Sequence, residues 1–126
     1  MRKTLAAPAL ALLFAVAAPA HADARDDQMV KLAATSGCTA CHGIETGRPG
    51  PGGAKPIGPA WRDVSVKYRG DANALAALTE TVMRGSSPYE SHWKGEVSGL
   101  SMPPNAVAIR REDAQQLVQW ILGLAK

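Results

Sequence analysis

Cys38-Thr39-Ala40-Cys41-His42 contains both cysteines of the chain, with a histidine directly behind them. Three chemistries use two thiols at this spacing. One is a thioredoxin-like redox disulfide. Another is half of a zinc site. The third is attachment of a c-type haem, where the thiols add to the porphyrin vinyl groups and the adjacent imidazole ligates iron. Zinc wants four ligands, and Cys38, Cys41, His42 and His92 could supply them, although the usual second pair of closely spaced ligands is missing. A thioredoxin-like site opens a helix after a buried strand, and no β-branched run precedes Cys38. The segment from Arg25 to Ser36 reads instead as a helix that ends at Gly37. An ordinary structural disulfide would leave His42 unexplained. Haem attachment uses all three residues: two intervening residues let the thiols reach two vinyl groups on one side of the ring, and His42 then falls under the iron.

The residues upstream agree with that chemistry. Met1-Arg2-Lys3 precedes an apolar run from Leu5 to Ala18, then Pro19, with Ala20 and Ala22 flanking His21 before Asp23. This is the layout of a secretory signal peptide cleaved after Ala22, giving a leader over residues 1–22 and a domain over 23–126. As a membrane anchor the run is short of the roughly 20 residues a span needs, and Pro8 breaks it. The expected location is the periplasm, an oxidising space, without stable membrane insertion. Removing Arg2 and Lys3 takes the 14 basic residues to 12 against 11 acidic, so the formal +3 falls to +1. A nearly neutral domain without a basic, aromatic-laced patch excludes nucleic acid as the expected partner. Only five aromatic residues remain: Trp61, Tyr68, Tyr89, Trp93 and Trp120.

A haem iron held by His42 needs a sixth ligand. The choices are Met29, Met83, Met102 and His92. Met29 sits in the first helix, and Met83 closes an apolar stripe with Leu75, Leu78 and Val82, so both read as core. Met102 lies in Gly99-Leu100-Ser101-Met102-Pro103-Pro104-Asn105, where two prolines forbid helix and stiffen an extended loop. Such a loop can hold a thioether against iron. His92 would make a low-potential bis-histidine site, and reads better as an exposed or propionate-side residue.

Periodicity predicts four helices, about Asp26–Ser36, Pro59–Tyr68, Asp71–Arg84 and Glu112–Ala125. The last places Ala114, Leu117, Val118, Ile121 and Leu122 on one stripe, with Glu112 and Asp113 near its positive N-terminus. The third starts at a capping-type residue and ends before Gly85. No alternating strand pattern appears. The fold class is all-α, one domain with one haem, and the first and last helices should cross with Trp120 near Gly37.

The chain resembles the class I cytochromes c, small bacterial monohaem type, over nearly all of the mature region. The resemblance rests on Cys38 to Gly43, on Ile57-Gly58-Pro59-Ala60-Trp61-Arg62-Asp63-Val64, on Met102 to Asn105, and on a last helix ending Leu117-Val118-Gln119-Trp120-Ile121-Leu122. It implies the cytochrome c fold, about four helices wrapped around one covalently bound haem c. It implies Cys38 and Cys41 as thioether sites, His42 as proximal and Met102 as distal ligand of the iron. Pro59 would offer its carbonyl to the other nitrogen of His42, Asn105 would support the methionine loop, and Trp93 would donate its indole hydrogen to a propionate. Two features depart from the shortest relatives. Gly47 to Pro56 is a longer glycine and proline loop, expected to be flexible or irregular surface, and Trp93 lies nine residues before Met102.

The function implied is a soluble periplasmic electron carrier cycling between ferrous and ferric iron, not an enzyme. Its partners would be redox proteins that dock briefly on a monomer. Lys55, Lys67 and Lys94 are possible members of that docking face, or plain solvated surface. Two alternatives remain at this point: a haem-carrying subunit of a larger periplasmic oxidoreductase, and a peroxidase or gas binder with an open distal site.

Overall fold

A computed structural model of the chain describes residues 19–125. Within them lie four α-helices: α1 (Pro19–Thr35), α2 (Trp61–Lys67), α3 (Ala74–Arg84) and α4 (Arg111–Leu122), with short 3-10 turns at Cys38–Ala40 and Pro51–Gly53. Among the described residues there is no strand, as the all-α reading expects. The leader expected over residues 1–22 lies outside the described residues as far as residue 18, and Pro19 to Ala22 belong to the start of α1.

The element boundaries differ from the periodic ones for local reasons. Helix α3 starts at Ala74 rather than Asp71, because the Asp71 carboxylate accepts a bond from the Asn73 N–H at 2.8 Å and forms a turn ahead of the helix. At its other end α4 stops at Leu122 rather than Ala125, where Gly123 N–H returns to the Trp120 carbonyl at 3.0 Å.

Helix α4 is the common wall, packing against α1, α2 and α3. Where α1 and α4 meet, Ala33 and Ala114 are both 0% exposed, small side chains that let two helices approach closely. Met29, Trp61, Val64, Ile109, Leu117, Trp120 and Ile121 complete the core cluster. Met29 is thus the core residue it was expected to be, and Met83 packs against the same cluster. The Trp120 indole donates to Asp26 Oδ1 of α1 at 2.7 Å.

Helix α2 is tied to the end of α4 by side chains that serve its orphan backbone groups. Ser65, 1% exposed, donates to the Leu122 carbonyl at 2.7 Å and accepts from the Ala125 N–H at 2.8 Å. Arg62 donates to the Leu124 carbonyl at 2.7 Å. On the far face Glu80 of α3 pairs with Arg84 at 3.0 Å and with Arg111 at the start of α4.

The glycine and proline loop is more ordered than its composition suggests. Gly50 N–H bonds to the Ala54 carbonyl at 2.8 Å around the 3-10 turn, and Pro56 and Ile57 carbonyls accept from Ser98 and Gly99 N–H at 2.9 and 3.0 Å. The loop therefore delivers residues 56–58 against the segment leading to Met102.

Candidate functional site

A cavity of about 390 Å³ opens between the Cys38–His42 segment, α3 and the loops that follow it. Its wall includes Cys38, Cys41 and His42 on one side of the chain order, and Trp93 and Met102 from far down the sequence. Apolar lining comes from Ile57, Leu78, Val82, Leu117, Val118 and Ile121.

His42 is the most constrained side chain of the site. Its Nδ1–H donates to the Pro59 carbonyl at 2.8 Å. A Cβ on Gly58 would lie 2.7 Å from Cε1 and 2.9 Å from Nδ1 of the imidazole, so only glycine lets the backbone pass. The Trp61 ring lies nearly parallel to the imidazole, 20° between planes and 6.0 Å between centroids. Burial pushes the His42 pKa below its ordinary value, with the Pro59 bond opposing. A neutral imidazole that spends Nδ1–H on Pro59 keeps the Nε2 lone pair free for a metal.

Neither cysteine is in a disulfide. Cys38 is half-buried and burial pushes its thiol pKa up, while Cys41 is exposed. Among the described residues no three His, Cys, Asp or Glu side chains are grouped to hold a metal ion, so the zinc reading finds no ligand set. His92 instead meets the Tyr68 hydroxyl through Nδ1.

Met102 is half-buried in the cavity wall and held by its backbone. Its N–H donates to Ser86 Oγ at 2.8 Å, and its carbonyl accepts from Ser86 N–H at 2.9 Å. Gly85, which ends α3 with φ +81°, permits this approach: a Cβ there would lie 2.7 Å from the Met102 carbonyl oxygen. Asn105 fastens the other side. Its Nδ2 donates to the Pro103 carbonyl at 2.7 Å and its N–H to the Val82 carbonyl at 3.0 Å.

Trp93 stands in the wall with the Lys67 ammonium 4.0 Å from its ring centroid. Lys67 also donates to the His92 carbonyl and pairs with Glu96 at 3.2 Å, and Lys55 donates to the Gly95 carbonyl. Two of the three lysines considered for docking are exposed and also fasten the segment between α3 and Met102. Lys94 is exposed, with its backbone N–H bonded to the Ser91 carbonyl at 3.4 Å.

Several residues of the site went unread in the sequence. Trp61 and Gly58 sit inside the Ile57–Val64 block, where the aromatic and glycine flanking Pro59 were a usable signal. Ser86 and Lys67 carried none, because each acts through a loop whose path the sequence does not reveal.

The residues fit a covalently held haem: two thiols, a half-buried imidazole, a thioether and an apolar cavity. The family comparison decides the matter, with the Cytochrome c family pattern matching residues 28–125. The chain belongs to the cytochrome c family. Cytochrome c-551 of Allochromatium vinosum is 45% identical over 93 residues, 74% of this chain and 82% of that protein. Cytochrome c-551 of Pseudomonas aeruginosa is 38% identical over 87 residues, 69% of this chain and 67% of that protein. The crystal structure of wild-type Nitrosomonas europaea cytochrome c552 superposes with a TM-score of 0.59 at 35% identity, covering 75% of this chain and 98% of that one. This is a small class I bacterial cytochrome c with one covalently bound haem c. It is a one-electron carrier that works with redox partners, not an enzyme. No helix among the described residues is long and apolar enough to cross a membrane.

Proposed function

We propose that Cys38 and Cys41 form the thioether bonds, that His42 and Met102 are the axial ligands, and that the carrier works in the periplasm after cleavage behind Ala22. The carrying observation is that Met102, remote in sequence, lines the same apolar cavity as Cys38, Cys41 and His42. When bound, haem supplies a one-electron couple between ferrous and ferric iron. The chain's residues hold that couple in one geometry. Pro59, Gly58 and Trp61 fix the imidazole from three directions, and a hydrogen-bonded Nδ1–H makes the other nitrogen a better donor. Ser86 and Asn105 pin the backbone on either side of the Met102 thioether. Leu78, Val82, Leu117 and Ile121 give the cavity an apolar lining, and an apolar surround favours the lower-charged ferrous state.

Trp93 and Asn105 act here as a propionate-side donor and a loop brace. Docking is transient, as redox interfaces are small, and the exposed side chains of Tyr89 and Leu100 in the segment before Met102 suit a weak apolar contact. A potentiometric titration of the matured protein tests the reading. A single one-electron wave and no carbon monoxide binding to the ferrous form are expected. Ready carbon monoxide binding would favour an open distal site instead. N-terminal sequencing of exported protein should begin at Asp23, and a first residue elsewhere refutes the cleavage site.

A further inference from the structure

His92 and Tyr68 both stand in the cavity wall, yet neither belongs to the ligand set or to the braces of Met102. Haem brings two carboxylates into such a cavity. Among the described residues that line it there is no lysine or arginine, and Glu90 is the one carboxylate. Besides His42, His92 is the one histidine of that wall, so it is the side chain there that can gain a positive charge. The Lys67 ammonium, 4.0 Å from the Trp93 ring centroid, is already paired with Glu96.

The contact between His92 and Tyr68 is directional. Phenol is the stronger acid and an imidazole nitrogen the stronger base, so the Tyr68 hydroxyl donates its single proton to Nδ1 of a neutral His92. A protonated ring carries hydrogen on both nitrogens. Nδ1 must then donate, the hydroxyl oxygen accepts, and the Tyr68 proton is free to turn elsewhere. Burial, together with the Asp71 carboxylate, pushes the Tyr68 pKa above the ordinary phenol value, so the hydroxyl keeps that proton through the neutral range. His92 is exposed and exchanges protons with solvent. The other charged groups around the pair are Lys67 of α2, Asp71 in the turn after it, and Glu90, Lys94 and Glu96 of the segment that carries His92. Of these residue types, histidine alone has its ordinary charge change near neutral pH.

We propose that His92 is a proton site coupled to the haem, which takes up a solvent proton when the iron is reduced and returns it on oxidation, with the Tyr68 hydroxyl relaying the change to the cavity. The proposal rests on the reading that the propionates lie on the Trp93 side. The step balances: the redox partner supplies one electron, ferric iron becomes ferrous, and one solvent proton binds Nδ1 of His92. Oxidation reverses both. The sign follows from charge. Reduction lowers the charge at the iron by one, which makes a cation at His92 less costly. By reciprocity a protonated His92 favours the electron, and the freed Tyr68 O–H adds to this by offering the propionates a donor.

The test measures the midpoint potential of the matured holoprotein against pH and follows the His92 ring protons by nuclear magnetic resonance in each redox state. The potential should fall as pH rises through the histidine range and level off on both sides. His92 should titrate at a higher pH in the ferrous than in the ferric protein. His92→Gln leaves the Tyr68 hydroxyl an acceptor but cannot gain charge, and should lose the pH step. Tyr68→Phe keeps a ring in the wall and should shrink the gap between the two His92 titrations. A step that survives in His92→Gln makes a propionate the titrating group and overturns the proposal. A His92 titration indifferent to redox state overturns it, as does an undiminished gap in Tyr68→Phe. A purely structural role lowers the melting temperature of both variants and leaves the wild-type step in place, which also overturns it. If the propionates lay elsewhere, the ferrous protein would show no Overhauser contact between the Trp93 indole and a propionate methylene, so failure of that reading is visible without any titration.

Discussion

At the residue scale the site depends on a few close approaches that tolerate no added atom. Gly58 cannot retreat from the His42 ring, because its N–H is bonded to the Cys41 carbonyl at 2.9 Å. Gly58→Ala should therefore cost about 1–3 kcal/mol by overpacking, read as an earlier midpoint in guanidinium unfolding of the holoprotein, and the displaced imidazole should shift the visible spectrum. The proposed ligand residues stood out in the sequence because covalent haem chemistry demands thiols and imidazole at one spacing, and because two prolines mark Met102 out from methionines at helical spacing. Ser86, Lys67 and the acceptor of the Trp120 indole were not legible. Each depends on where a loop or a helix crossing runs in space, which no local pattern encodes.

At the scale of elements, α4 is held by α1, α2 and α3 through different means, and the predictions differ accordingly. Ser65→Ala leaves the Leu122 carbonyl and Ala125 N–H without their buried partner, a loss of about 1–3 kcal/mol that a thermal melt should register. Between α3 and α4 the apolar packing of Leu78, Val82 and Met83 on the core is joined by an exposed ion pair. Arg111 beside Glu80 holds its carboxyl below the ordinary value. Folding therefore weakens proton binding there, and the stabilisation is complete above the unfolded carboxylate pKa and lost as pH falls through the folded one. Glu80→Gln should flatten the acid limb of a stability-versus-pH profile, with only a small effect at neutral pH because the pair is exposed. Three of the four helices were readable from periodicity to within a few residues, whereas α1 starts at Pro19, seven residues before the expected Asp26. Two other misplaced ends, at Asp71 and beyond Leu122, are those where a side-chain turn or a returning N–H competes with the helix, a contest of local hydrogen bonds that an apolar stripe does not record.

At the scale of the whole molecule, the shortage of aromatic side chains has a physical answer. Of the five aromatic residues from Asp23 onward, Trp61 and Trp120 are in the core and Tyr68 and Trp93 pack against it, while Leu78, Val82, Leu117 and Ile121 give the cavity an aliphatic wall. A bound haem, a large apolar plate, would complete the core, and hydrophobic burial against it would help hold the helices together. Cys38→Ser with Cys41→Ser, which blocks covalent attachment, should give a chain with much reduced helicity by circular dichroism; a native spectrum without haem would show that the helices need no such plate. The central claim, an electron carrier whose iron is closed by His42 and Met102, is tested most directly by the ferric absorption spectrum of the matured protein. The account predicts a far-red sulfur-to-iron charge-transfer band that disappears in Met102→Ala while the haem stays covalently bound. No such band in the wild type, or an unchanged band in the variant, would contradict it.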